Sequence, residues 1–184
     1  MDDIVRKAMA KWPHVTHCYG WLGLDARGNW YMRDDRVQAL GRFSSGVVGS
    51  KGSLLVHEKL IEFIGRNYGC DATGPERGQW FFQNGPQRVY VELEATPWVW
   101  RVQANFSVIS HTGLPARIQR CLLDDLGRLY LETDLGLGLV HTQDMFLAAN
   151  ALEQGLWVAQ DALSADLPDR FGYVRSPQTK KAGQ

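Results

Sequence analysis

The sequence predicts an α+β fold: duplicated β-hairpin-plus-helix motifs joined by a central antiparallel β-meander. Three observations lead there. First, Leu24-Asp25-Ala26-Arg27-Gly28-Asn29-Trp30-Tyr31-Met32 recurs as Leu123-Asp124-Asp125-Leu126-Gly127-Arg128-Leu129-Tyr130-Leu131, and both copies reach an Asp at the same offset, Asp35 and Asp134. Second, a helical stripe of apolar residues follows each copy. Third, the stretch between the copies alternates apolar and polar residues with the period of a strand. A repeated supersecondary unit constrains architecture more than any single motif.

Taken in order, residues 2–11 predict a short helix with Ile4, Val5, Ala8 and Met9 on one stripe, stopped by Pro13. Aromatic and β-branched residues then dominate from His14 to Leu24. Asp25 and Gly28 occupy the first and fourth positions of a type I turn, so 19–33 reads as a hairpin. Gly41 to Gly52 is rich in Gly and Ser and predicts a mobile loop. Ser53 is the expected N-cap of a helix over 53–67. Its Val56, Leu60, Phe63 and Ile64 oppose Glu58, Lys59, Glu62 and Arg66, and Gly69 ends it. The first motif thus spans 14–69.

The central meander spans 78–112. Trp80-Phe81-Phe82-Gln83 leads through Asn84-Gly85 into Arg88–Glu94, where Val89, Val91 and Leu93 face a core. Thr96-Pro97 breaks the run before Trp98–Val102, and Phe106–Ser110 supplies a further strand. The second motif, 119–159, repeats the hairpin over about 119–133 and extends through Leu137–His141. Its helix has Thr142 and Asp144 at the start and Met145, Ala148, Ala149, Leu152 and Leu156 on its stripe. Residues 168–184 are expected as an extended tail, and 1–184 as a single compact unit. Matching Leu55-Val56-His57 with Leu139-Val140-His141 is set aside, because this reading puts His57 inside a helix and His141 before one.

Charge and composition narrow the function classes. Lys plus Arg and Asp plus Glu each number 20, leaving no net field to attract nucleic acid or an anionic membrane. No apolar run approaches the roughly 18 residues of a membrane span. The N-terminus carries acid before base and no apolar h-region, so no secretory signal is expected. Cys18, Cys70 and Cys121 are scattered and odd in number, which fits a reducing cytoplasm.

Candidate chemistry is sparse. His14, His17 and Cys18 place three potential ligands within one short stretch, although on a strand His14 and His17 point to opposite faces. No Gly-x-Ser-x-Gly elbow is present, and each Cys reads as a small buried hydrophobe. Asp34-Asp35 and Asp124-Asp125 read as solvated turn acids. Gly136-Leu137-Gly138 and Ser50-Lys51-Gly52-Ser53 lack the spacing of phosphate loops. No cofactor, catalytic residue or metal ligand set is therefore assigned. The richest segment is 88–101, where Arg88, Tyr90 and Glu92 project opposite the aliphatics and Trp98 and Trp100 share a face. With seven tryptophans in the chain, these five residues are the expected ligand-binding set. A packed core between helix and sheet is the competing reading of the same aromatics.

The order Gly28-Asn29-Trp30-Tyr31, Gly/Ser loop, amphipathic helix, Pro86-Gln87-Arg88-Val89-Tyr90-Val91-Glu92-Leu93-Glu94-Ala95-Thr96-Pro97-Trp98, repeated hairpin and final helix resembles small proteobacterial proteins of unknown function with repeated α+β motifs. The resemblance spans about 20–156 and implies ligand binding or signal transduction, with no catalytic residue to carry over. The expected function is a cytoplasmic, non-enzymatic ligand-binding or regulatory module with a small-molecule ligand. A metal-binding protein or metal-dependent enzyme using His14, His17 and Cys18 is one alternative; a protein–protein adaptor is the other. The place to look for a bound molecule is between helix 53–67 and strands 88–102, between the two copies.

Overall fold

The computed structural model describes residues 1–12 and 14–182. The expected stop at Pro13 and the end of the tail at Gly183-Gln184 lie outside the described residues. The chain is α+β, with helix α1 (Asp3–Lys11) followed by hairpin β1 (Cys18–Leu24) and β2 (Trp30–Met32). Then come α2 (Asp35–Ala39), β3 (Ser53–Leu54), α3 (Glu58–Arg66), β4 (Tyr68–Cys70), β5 (Trp80–Asn84) and β6 (Gln87–Leu93). The second half holds β7 (Trp98–Val102), β8 (Val108–Ser110), β9 (Pro115–Ala116), β10 (Ile118–Asp124), β11 (Leu129–Thr133) and β12 (Gly136–Val140). A 3₁₀ turn (Thr142–Asp144), α4 (Met145–Glu153), β13 (Ala159–Ala162), α5 (Leu167–Phe171) and α6 (Pro177–Ala182) complete it.

These elements divide into two units. One comprises residues 1–25, 29–94 and the C-terminal residues from Tyr173, and the other comprises 26–28 and 95–172. The first unit holds a sheet of order β3-β2-β1-β6-β5-β4, the second one of order β13-β10-β11-β12-β7-β8-β9. The chain passes between them just before Thr96-Pro97, so the central meander is shared: β5 and β6 pair in the first sheet, β7, β8 and β9 in the second.

The duplication is visible in the ladders. Leu22, Gly23 and Leu24 pair with Met32, Tyr31 and Trp30; Cys121, Leu122 and Leu123 pair with Leu131, Tyr130 and Leu129. Every partner is shifted by the same offset as the sequence repeat. A third strand then adds antiparallel, β3 through Tyr31–Leu54 and β12 through Tyr130–Leu139. A helix follows, and a later strand returns parallel to the first hairpin strand, β6 through Leu22–Val91 and β13 through Cys121–Ala159. Thus β3-β2-β1-β6 and β12-β11-β10-β13 are one topology used twice.

The repeated Leu-Asp-x-x-Gly-x-x-Tyr closes both hairpins. Asp25 N donates to Asn29 O at 3.0 Å, and Asp124 N to Arg128 O at 3.0 Å. Each Asp carboxylate accepts the backbone N–H four residues on, from Asn29 at 2.8 Å and from Arg128 at 2.8 Å. Both aspartates are buried, which corrects the expectation that Asp124 is solvated. The Tyr130 hydroxyl donates to Asp124 at 2.9 Å. Burial pushes the Asp124 carboxyl up, but the bonds from Arg128 and Tyr130 outweigh it and hold its pKa below the ordinary value.

Other differences have local causes. Ser53-Leu54 joins the ladder beside β2, so the expected helix over 53–67 begins only at Glu58, with His57 as its N-cap. Val56 is 78% exposed and leaves the stripe. His57 Nδ1 accepts from Leu60 N, and His141 Nδ1 accepts from Gln143 N ahead of α4. Each histidine caps a helical segment, but the ladders align Leu54 rather than Leu55 with Leu139, so the match of Leu55-Val56-His57 with Leu139-Val140-His141 is off by one residue and stays set aside. Gly69 pairs in β4 rather than capping a helix. Arg33 is fully buried and donates to the carbonyls of Gly20, Gly41 and Ser50, fastening both ends of the Gly/Ser loop.

The segment expected as an extended tail carries α5 and α6 instead. It adds to the first unit: Leu93 N donates to Arg175 O, Val174 N to Gly78 O, and Ser176 Oγ and Gln178 N to the Glu92 carboxylate. No helix among the described residues is long and apolar enough to cross a membrane.

Candidate functional site

In the first unit α3 lies over one face of the sheet. Its Leu60, Phe63 and Ile64 face inward, and Phe63 meets Phe82 edge to face at 5.5 Å. Between helix and sheet is a cleft of about 290 Å³, walled by Leu22, Leu60, Phe63, Ile64, Phe82 and Val89. Trp21, Met32 and Leu55 complete its apolar lining, and Cys18, Asn84 and Gln87 supply the polar atoms. No ionisable acid or base other than the Cys18 thiol lines it. β1 shifts register between Cys18 and Leu22 opposite Val89 and Val91, so two extra residues bow out beside the cleft.

The polar end is made of carboxamides. Gln87 Nε2 donates to Thr16 O at 2.8 Å, leaving its oxygen as an acceptor. Asn84 is exposed at the end of β5, across the ladder from Gln87.

The two copies differ beside this cleft. Val91 lies opposite Leu22 and Ala159 opposite Cys121, which is the repeat mate of Leu22. The second ladder begins at Ala159, whereas β6 also pairs through Val89 opposite Cys18, and Trp157 precedes β13 and walls a cleft of about 340 Å³ with Cys121 and Gln160. A second asymmetry lies on the other face of β1. Gly23 matches Leu122, and a Cβ on Gly23 would come within 2.5 Å of the Phe43 ring. There the Gly/Ser loop refills the space that the smaller residue leaves.

The five residues expected to bind ligand do not line this cleft. Arg88, Tyr90 and Glu92 sit together on the opposite face of β6. Arg88 pairs with Asp71, and Tyr90 stacks on Tyr19 with centroids 4.4 Å apart. Glu92, 2% exposed, is held by Ser176 and Gln178; burial raises its pKa above the usual carboxylate value. Trp98 and Trp100 belong to the second unit, where their indole N–H groups donate to Leu135 O and Leu131 O. What sequence reasoning missed were Cys18, Trp21, Leu22, Phe82 and Asn84; Leu60, Phe63, Ile64 and Val89 were legible as core-facing positions.

Other candidate chemistry finds no assembled site. Among the described residues no group of three His, Cys, Asp or Glu is placed to hold a metal ion. His17 Nδ1 accepts from Arg88 N at 3.3 Å, and Cys18 sits in the β1 ladder opposite Val89. Burial pushes the Cys121 thiol up to about 11, so it is protonated at neutral pH and a poor nucleophile. The Lys51 ammonium is engaged by Glu94 at 2.8 Å.

No curated protein matches the chain. A solved structure of a DUF1285 family protein from Silicibacter pomeroyi DSS-3 is similar over 82% of this chain and 84% of that one, at 10% identity and a TM-score of 0.48. The DUF2944 model, described as "Protein of unknown function (DUF2946)", matches residues 1–178, and the chain belongs to that family.

Proposed function

We propose that this protein is a non-enzymatic ligand-binding or regulatory module of the cytoplasm, with the cleft under α3 as its site. The observation that carries the reading is the cleft of about 290 Å³ between α3 and the sheet, with mostly apolar walls and no charged side chain among its lining residues. Small-molecule sites begin at about 300 Å³. Mostly apolar walls with a few convergent polar groups are the composition of such sites. In this reading Arg88, Tyr90 and Glu92 support the cleft from behind β6, and Trp98 and Trp100 hold the core of the other unit. The three free thiols support a reducing compartment.

The test is a library of small organic fragments screened by ligand-observed NMR against the wild-type chain and Val89→Trp. An indole placed in the cleft by Val89→Trp is expected to weaken true ligands about ten-fold or more, about 1.4 kcal/mol at least. Absence of any fragment whose binding depends on Val89 would end the reading.

A further inference from the structure

We infer that the cleft takes a neutral, planar aromatic molecule bearing a hydrogen-bonding group. This rests on the ligand-binding reading above and names its ligand class. The walls of the cleft include the aromatic side chains of Trp21, Phe63 and Phe82, and Phe63 meets Phe82 edge to face. Aromatic rings gain roughly 0.5–1.5 kcal/mol from offset or edge contacts with one another beyond area burial. A flexible alkyl chain makes no such contacts and loses rotamer freedom on binding.

Charge sets the second half of the class. None of the lining residues is a Lys, Arg, His, Asp or Glu. An ion entering such a site gives up hydration with no opposite charge to replace it, whereas a neutral donor or acceptor is met by a carboxamide. Asn84 offers two donors and an acceptor, and Gln87 offers its oxygen, its N–H being engaged by Thr16 O. A ring N–H, phenolic O–H or primary amide at the edge of the ligand matches these groups.

The experiment titrates the full chain with indole, indole-3-acetate, tryptamine and octanamide by calorimetry, for the wild type, Val89→Trp and Asn84→Asp. Indole is expected to bind about ten-fold more tightly than either charged analogue and than octanamide, and to be lost in Val89→Trp. Asn84→Asp is close to isosteric at an exposed position. It is expected to move selectivity about ten-fold toward tryptamine over indole-3-acetate, a readout that does not depend on Val89→Trp folding. Equal or tighter binding of a charged analogue or of octanamide, or unchanged selectivity in Asn84→Asp, overturns the ligand class while Val89-dependent fragments keep the cleft as a site. Silence of indole alongside a fragment library without Val89-dependent binders removes both.

Discussion

At the scale of single residues, the repeated aspartate carries the clearest energetic consequence. Asp124 accepts Leu126 N and Arg128 N on one oxygen and the Arg128 guanidinium and Tyr130 hydroxyl on the other. An Asn there keeps one acceptor but turns an NH₂ toward two donors. Asp124→Asn is expected to cost about 1–3 kcal/mol at neutral pH, read from urea unfolding. The pH dependence follows from a folded pKa below the ordinary carboxylate value. Such a group stabilises above its unfolded pKa, near 3.9, and the contribution is lost as pH falls through the lower folded value. The wild-type advantage over Asp124→Asn is therefore expected to shrink below about pH 4, and a constant difference down to the acid transition would contradict it. The turn itself was legible from Asp and Gly spacing. Burial of the carboxylate was not, because it depends on a Tyr hydroxyl reaching back across the hairpin.

At the scale of elements, the two histidine caps tie sequence to helix position. His141 is 6% exposed and its ring accepts from Gln143 N, so His141→Ala leaves an N–H unsatisfied and is expected to cost about 1 kcal/mol. His141→Asn, with a side-chain acceptor of similar reach, is expected to recover most of it in the same unfolding assay; full loss in both variants would point to ring packing alone. What was legible at this scale was local. The hairpins and the helical stripes of α3 and α4 follow from periods of two and 3.6 carried by neighbours in the chain. The strands β3, β4 and β13 were missed, since each is short and exists only through a ladder to a distant partner. The candidate site divides the same way. Helix α3 and Val89 announce a core face in the sequence. The pairing that sets Val89 opposite Cys18 beside the cleft does not, because parallel register is set by residues far apart in the chain.

At the scale of the whole molecule, the first unit is built from segments that are not contiguous, and its completion depends on the residues from Tyr173 onward. These residues supply the hydroxyl of Ser176 and the N–H of Gln178 to a Glu92 carboxylate that is 2% exposed, and a backbone acceptor to Leu93. Hydrogen bonds to a charged group contribute about 1.5–3 kcal/mol each, so ending the chain after Gly172 is expected to destabilise the first unit by on the order of 3 kcal/mol or more. Without those donors the buried carboxylate is left to ionise alone or to take a proton, either of which loosens β6 against β1. Hydrogen exchange is expected to show lost protection in 18–24 and 87–93, while 98–102 and 129–140 retain theirs, because the second sheet contains none of the removed residues. Uniform loss across both sheets would show that the C-terminal residues stabilise the chain as one cooperative body. Unchanged protection in 87–93 would show that Glu92 needs no cover. Because Val89 lies on that same strand, the truncated chain is also expected to bind cleft ligands more weakly, linking the far end of the sequence to the site under α3.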